Sequence, residues 1–119
     1  MFSTPRSTVP SAPLSVQEIA AKVAQCQMLL IDVREIAEVK ASGRAEGALV
    51  IPMSILSLMA DPHQPNPPLQ QGVPVAVYCA SGGRSGMAAD LLAKLGYGPV
   101  TNLGGLRDWA SAGGRIVPF

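Results

Sequence analysis

Cysteine is scarce in this chain. Cys26 and Cys79 are the only two among 119 residues, too few for a disulfide framework, and their spacing offers neither a C-x-x-C redox pair nor a zinc-ligand set. Histidine is scarcer still, with His63 alone in a proline-rich stretch. A histidine-built metal centre or catalytic base therefore has no support, and neither metal nor cofactor is expected. An excess of charge of either sign is also missing. Nine basic and eight acidic residues leave a formal charge of +1, which argues against nucleic acid or an anionic membrane as a partner. The most apolar stretch, 47–60, is broken by Pro52, Ser54 and Ser57 and falls short of the ~20 residues of a membrane span. Residues 1–14 hold no apolar run like that of a secretory signal. A cytoplasmic location is expected, and a reducing compartment suits a free thiol.

What is present is a single domain's worth of hydrophobic pattern, 48% of the chain. Residues 1–13, rich in Ser, Thr and Pro, are expected to form a loosely held arm, with the domain spanning 14–119. Ser15 and Glu18 have capping-box spacing, and Val16, Ile19, Ala20 and Val23 supply the apolar face of a helix to about Ala24. Met28 to Ile31, ending at Asp32, and Ala48 to Ile51 read as buried strands. Between them Glu35 to Ala41 reads as a short helix stopped by Gly43, and Met53 to Met59 as another. Five prolines mark 61–74 as a surface connection. Val75 to Tyr78 is the third strand, and a helix from Ser85 to Leu95 should present Met87, Ala88, Leu91, Leu92 and Leu95 on one face. Val100 to Leu103 is the fourth strand, and Leu106 to Ala112 a last helix centred on Trp109, which is expected to anchor the core. Strands alternating with helices predict an α/β fold, a central parallel sheet with helices on both faces.

The most informative segment is Val75-Ala-Val-Tyr-Cys-Ala-Ser-Gly-Gly-Arg-Ser-Gly86. An apolar strand ends in Cys79, and the loop that follows, Ala80, Ser81, Gly82 and Gly83, is small enough for its backbone N–H groups to turn inward around the sulfur. Arg84 and the start of a helix at Ser85 add positive potential. These features favour a thiolate at Cys79, a nucleophile at the carboxyl end of a parallel strand, where ligands bind in such sheets. A buried structural cysteine would leave the glycines and Arg84 unexplained. Arg84 is expected to fix the loop or to meet an anionic donor. Asp32 and Arg34 either join the scaffold behind the loop or are ordinary exposed loop charges. For Cys26, a structural role is expected ahead of service as a resolving thiol.

Four segments in order resemble the single-domain rhodaneses. They are Leu-Ile-Asp-Val-Arg-Glu at 30–35, Gly47-Ala48 with Ile51-Pro52, the loop Cys79-Ala80-Ser81-Gly82-Gly83-Arg84-Ser85, and Gly104-Gly105 with Trp109 and Gly113. The resemblance implies a sulfurtransferase of the thiosulfate:cyanide type, moving a sulfane sulfur through a persulfide on Cys79. Its partners would be a small sulfur donor and a thiol, cyanide-like or protein acceptor. Two positions depart from the family's pattern. Gly43-Arg44-Ala45 stands where Gly-His-Ile is usual, removing a structural histidine, and Ala80 stands where thiosulfate-using members often carry a basic residue. Weak capture of thiosulfate is the expected consequence.

Two other classes compete. Cysteine-dependent phosphatases and arsenate reductases use a similar loop, but with five residues between Cys and Arg in such phosphatases, where this chain has four. The tighter ring suits a single sulfur atom. A non-catalytic binding module of the same fold is the third reading, and an intact Cys79 and Arg84 weigh against it.

Overall fold

The computed structural model describes residues 14–119, so the expected N-terminal arm lies outside the described residues. Four parallel strands form the central sheet: β1 (Leu29–Asp32), β3 (Leu49–Val50), β4 (Val75–Cys79) and β5 (Val100–Gly105), in the order β3-β1-β4-β5. β4 lies inside the sheet and is buried along its whole length, which is why it reads as an unbroken apolar run. Its side chains alternate between two cores. Val75, Val77 and Cys79 face α3 (Met53–Met59) and α4 (Gly83–Lys94), where Leu56, Ala88 and Leu92 are fully covered. Ala76 and Tyr78 face α1 (Val16–Ala24) and α5 (Leu106–Ser111), where Ile19 and Trp109 are buried. Helices thus cover both faces, as the alternating pattern predicts.

Three local differences have physical causes. β3 is shorter than its apolar run, and Leu49 is 42% exposed, because β3 is an edge strand with a neighbour on one side alone. Met87 is 60% exposed rather than part of the helical core face. The stripe of α4 that is buried runs through Ser85, Ala88 and Leu92, and Met87 lies about 100° around the helix from Ala88. A second, two-stranded antiparallel sheet joins β2 (Arg44–Ala45) to β6 (Ile116–Val117). No alternation announces it, since two residues are too few to show a period. The short helix α2 (Ile36–Ser42) sits between β1 and β2, and its first turn is closed by the Glu35 N–H donating to Glu38 Oε2 at 3.0 Å.

β5 carries one irregularity that matters for the site. Val77 pairs with Asn102 but Tyr78 pairs with Gly104, leaving Leu103 as an extra residue. The Gly104 N–H at this bulge is satisfied by Asn102 Oδ1 at 3.0 Å.

Candidate active site

Cys79 ends β4 with its side chain on the α4 side of the sheet, and its relative exposure is 0%. The chain then reverses through Ala80 and Ser81 and enters α4 at Gly82, whose φ of 105° is left-handed. A glycine serves there because an L side chain would be strained. The reversal also leans on β5: a Cβ at Gly105 would collide with the Ala80 carbonyl, so that position requires the absence of a side chain.

This path aims backbone donors at one sulfur atom. The Gly82 N–H reaches Cys79 Sγ at 3.0 Å and the Ser85 N–H at 3.4 Å. α4 starts two residues earlier than the apolar pattern suggests, at Gly83 rather than Ser85. Ser85 therefore lies in the first turn, where N–H groups have no helical carbonyl to bind. Its hydroxyl oxygen lies 3.4 Å from the sulfur, 2.7 Å from Asn102 Oδ1 and 3.1 Å from the Gly82 carbonyl, three acceptors within reach of its one proton. Asn102 is held in turn by its amide, which donates to the Gly82 carbonyl at 3.2 Å. Burial pushes the Cys79 thiol up, but the Ser85 hydroxyl and the N–H groups of Ser85, Gly82 and Ser81 together outweigh it and bring the thiol down to about 7. Half of it is thiolate near neutral pH.

Arg84 does not stand free beside the sulfur. Its Nη1 donates to Glu38 Oε2 at 2.6 Å and its Nη2 to Glu38 Oε1 at 2.8 Å. The pair is partly open to solvent, with side-chain exposures of 35% and 38%. Hydrogen bonding from Arg84 is the main cause that lowers the Glu38 carboxyl to about 2, and the same pairing raises the guanidinium's affinity for its proton. Cys79 adds a smaller contribution to Arg84. Ala80 and Ser81 are exposed and, with Arg107 and Asp108, line a cleft of about 230 Å³ beside the loop. Gly83 opens the helix and makes no side-chain contribution.

Asp32 and Arg34 are scaffold, not exposed loop charges. Their side chains are 0% and 4% exposed, and Arg34 holds Asp32 through Nε at 3.0 Å and Nη2 at 2.7 Å. Arg34 also donates to the Ser42 hydroxyl and the Gly43 carbonyl, both at 2.7 Å, tying the end of β1 to the end of α2. Asp32 is in register with Tyr78, the residue before Cys79, and the Arg34 guanidinium lies 5.8 Å from the Tyr78 ring centre. Neither reaches the sulfur.

Cys26 departs from its sequence reading, and Trp109 keeps to its expected place in the core. Cys26 is exposed, so the expected structural role falls away. Trp109 is buried, donating from Nε1 to the Arg115 carbonyl at 2.7 Å, and borders a separate cavity of about 260 Å³ between α1 and α5 that is lined by no residue of the Cys79 loop. Glu38 and Asn102 were not legible as site residues. Glu38 meets Arg84 across 46 positions, and Asn102 is a single polar residue in a short strand; a polar side chain inside an apolar run was the one available signal. Among the described residues no group of three or more His, Cys, Asp or Glu side chains could hold a metal ion, and no helix is long and apolar enough to cross a membrane.

Comparison with known proteins follows this geometry. A family model described as a rhodanese-like domain matches residues 15–112. Among solved structures, the chain is 30% identical to a Rhodopseudomonas palustris protein of unknown function described as a possible tyrosine phosphatase, covering 87% of this chain and 83% of that one, at a TM-score of 0.74. It is also 30% identical to the human single-domain sulfurtransferase TSTD1, over 82% of this chain and 94% of that one, at a TM-score of 0.69. A rhodanese with anions from E. coli is 33% identical over 68% and 89%, at a TM-score of 0.56. No curated protein matches the sequence.

Proposed function

Because the chain belongs to the rhodanese-like domain family, we propose that it is a sulfurtransferase that carries a sulfane sulfur on Cys79. In the first half-reaction the Cys79 thiolate attacks the outer sulfur of the donor. With an organic persulfide, R–S–SH, the S–S bond breaks, R–S⁻ leaves with the bonding pair, and Cys79–S–SH remains. With thiosulfate, sulfite leaves as the dianion and Cys79–S–S⁻ remains. In the second half-reaction a thiolate or cyanide attacks the outer sulfur and releases the Cys79 thiolate. No external oxidant or reductant is consumed. Donor and acceptor are small molecules or a protein thiol, and the free cysteines fit a reducing compartment such as the cytoplasm.

The observation that carries this reading is the convergence of the Gly82 and Ser85 N–H groups on Cys79 Sγ. Donors so arranged hold negative charge on the attacking sulfur and on the sulfur it receives. A cysteine-dependent phosphatase is the second reading, favoured by the description of one similar structure. Against it stand the four-residue spacing from Cys79 to Arg84 and the engagement of Arg84 by Glu38, which neutralises the charge a phosphate would meet.

Intact mass after incubation with thiosulfate or a small organic persulfide tests the assignment. One added sulfur, removed by a thiol reductant and missing in Cys79→Ser, is expected. No added sulfur from either donor, with hydrolysis of an aryl phosphate instead, would overturn it in favour of the second reading.

A further inference from the structure

Resting on the sulfur-transfer reading, we propose that Glu38 is a specificity-determining residue: by pairing with Arg84 it cancels the loop's cationic charge, disfavours dianionic donors such as thiosulfate, and leaves organic persulfides as the preferred class. Both terminal nitrogens of the guanidinium are committed to the two carboxylate oxygens. An incoming anion therefore meets a pair with no net charge, and the N–H groups that Arg84 still has free sit beside a carboxylate that repels it. Glu38 is not a floating surface group. Its Oε2 also accepts from the Glu35 N–H at 3.0 Å, so swinging away would open the first turn of α2. Nor does any pH at which the enzyme works release it, since the carboxyl is held at about 2.

The rest of the mouth repeats this balance. The second cation beside the loop, Arg107, shares its cleft with Asp108, whose carboxylate accepts from the Gly105 N–H at 2.7 Å. Two cations and two carboxylates thus border the loop. A dianion gains nothing from such a field, whereas a neutral or singly charged persulfide loses nothing. Donor class is then set by Glu38 in α2, outside the catalytic loop itself.

The measurement is the ratio of kcat/KM for thiosulfate to kcat/KM for a small organic persulfide, in wild type and Glu38→Gln. Glutamine keeps an acceptor for the Glu35 N–H and removes the charge. The ratio should rise about ten-fold at low ionic strength and fall back toward the wild-type value as salt is added. A ratio that stays level or drops overturns the proposal, as does a rise that persists at high salt, which would mark a steric origin. Glu38→Ala is the second variant, with thermal melting of both proteins as the control for folding. Failure of the underlying sulfur-transfer reading looks different: wild type would then take sulfur from neither donor.

Discussion

Two arginine–carboxylate pairs stand near the carboxyl edge of the sheet, and they teach opposite lessons. Arg34–Asp32 is sealed, with side-chain exposures of 4% and 0%, and spends its remaining donors on Ser42 and Gly43. Arg84–Glu38 is bidentate as well, but more than a third of it faces solvent, beside the Cys79 loop. The chemistry is the same and the surroundings differ. A buried pair cannot lose one partner without stranding a charge in a medium that does not solvate it, so its job is to hold β1 and α2 together. An exposed pair costs little to break and adds little to stability, so its proposed role lies in the field that ligands meet. Charge near an active site is therefore not by itself evidence of a catalytic role.

The widest separation between chemistry and stability is expected at the sulfur. Cys79→Ser should lower sulfur transfer by more than ~10³-fold, because a hydroxyl does not ionise near neutral pH. Urea unfolding should show stability within about 1 kcal/mol of wild type, and measurable turnover by the variant would sink the mechanism. Next in size is Asp32→Ala, expected to cost about 3–5 kcal/mol by leaving Arg34 buried and unpaired. Glu38→Gln should cost about 1 kcal/mol or less. Equal losses in the two would erase the distinction between the pairs. The sign of the pH effect is fixed too. With its carboxyl lowered to about 2, whatever Glu38 contributes is present above the ordinary carboxylate range and lost as pH falls toward 2.

Arg84→Ala sharpens the comparison from the other side. It leaves the Glu38 carboxylate uncompensated beside the loop, so kcat/KM for thiosulfate should fall at least ~10-fold further than for a neutral persulfide. Equal losses on the two donors would make Arg84 architectural, like Arg34. A smaller change is expected at Ser85. In a Cys26→Ser background, the ultraviolet absorbance of the thiolate should titrate with a midpoint near 7. Ser85→Ala should move it up by about one unit, a change of about 1.4 kcal/mol in thiolate preference. An unmoved midpoint would mean that the backbone N–H groups act alone. Smallest is Ala80→Lys, where one charge added at the exposed end of the loop should improve thiosulfate kcat/KM by roughly five-fold and fade in salt. No change at low salt would remove Ala80 from donor choice.

The sealed pair and the open one also mark how far the sequence could be read. Strand β4 is an unbroken apolar run because both its faces are covered, and the small residues after Cys79 announce a turn around the sulfur. That much follows from local chemistry. Asp32 and Arg34 were visible as residues but not as a buried pair, since burial depends on where α2 packs. The meeting of Glu38 with Arg84 is a tertiary accident of α2 and α4 starting at the same edge, with no periodic trace in either helix. Asn102 is positioned by a one-residue bulge opposite Val77 and Tyr78, a register shift that a six-residue strand cannot declare in its pattern. Edge strand β3 and the two-residue sheet of β2 and β6 were blurred for the same reason: they are too short for alternation to outweigh context.

The complete burial of Cys79 bears on timing as well as on shape. On the sulfur-transfer reading, a Cys79 with no exposed surface meets its donor once the loop from Ala80 to Gly83 yields. Reactivity and availability are separate on that reading: the groups around the sulfur favour the thiolate, and the loop governs access to it. The same seal bears on damage. A passing oxidant meets the exposed Cys26 at once, whereas Cys79 is shielded by the loop that covers it.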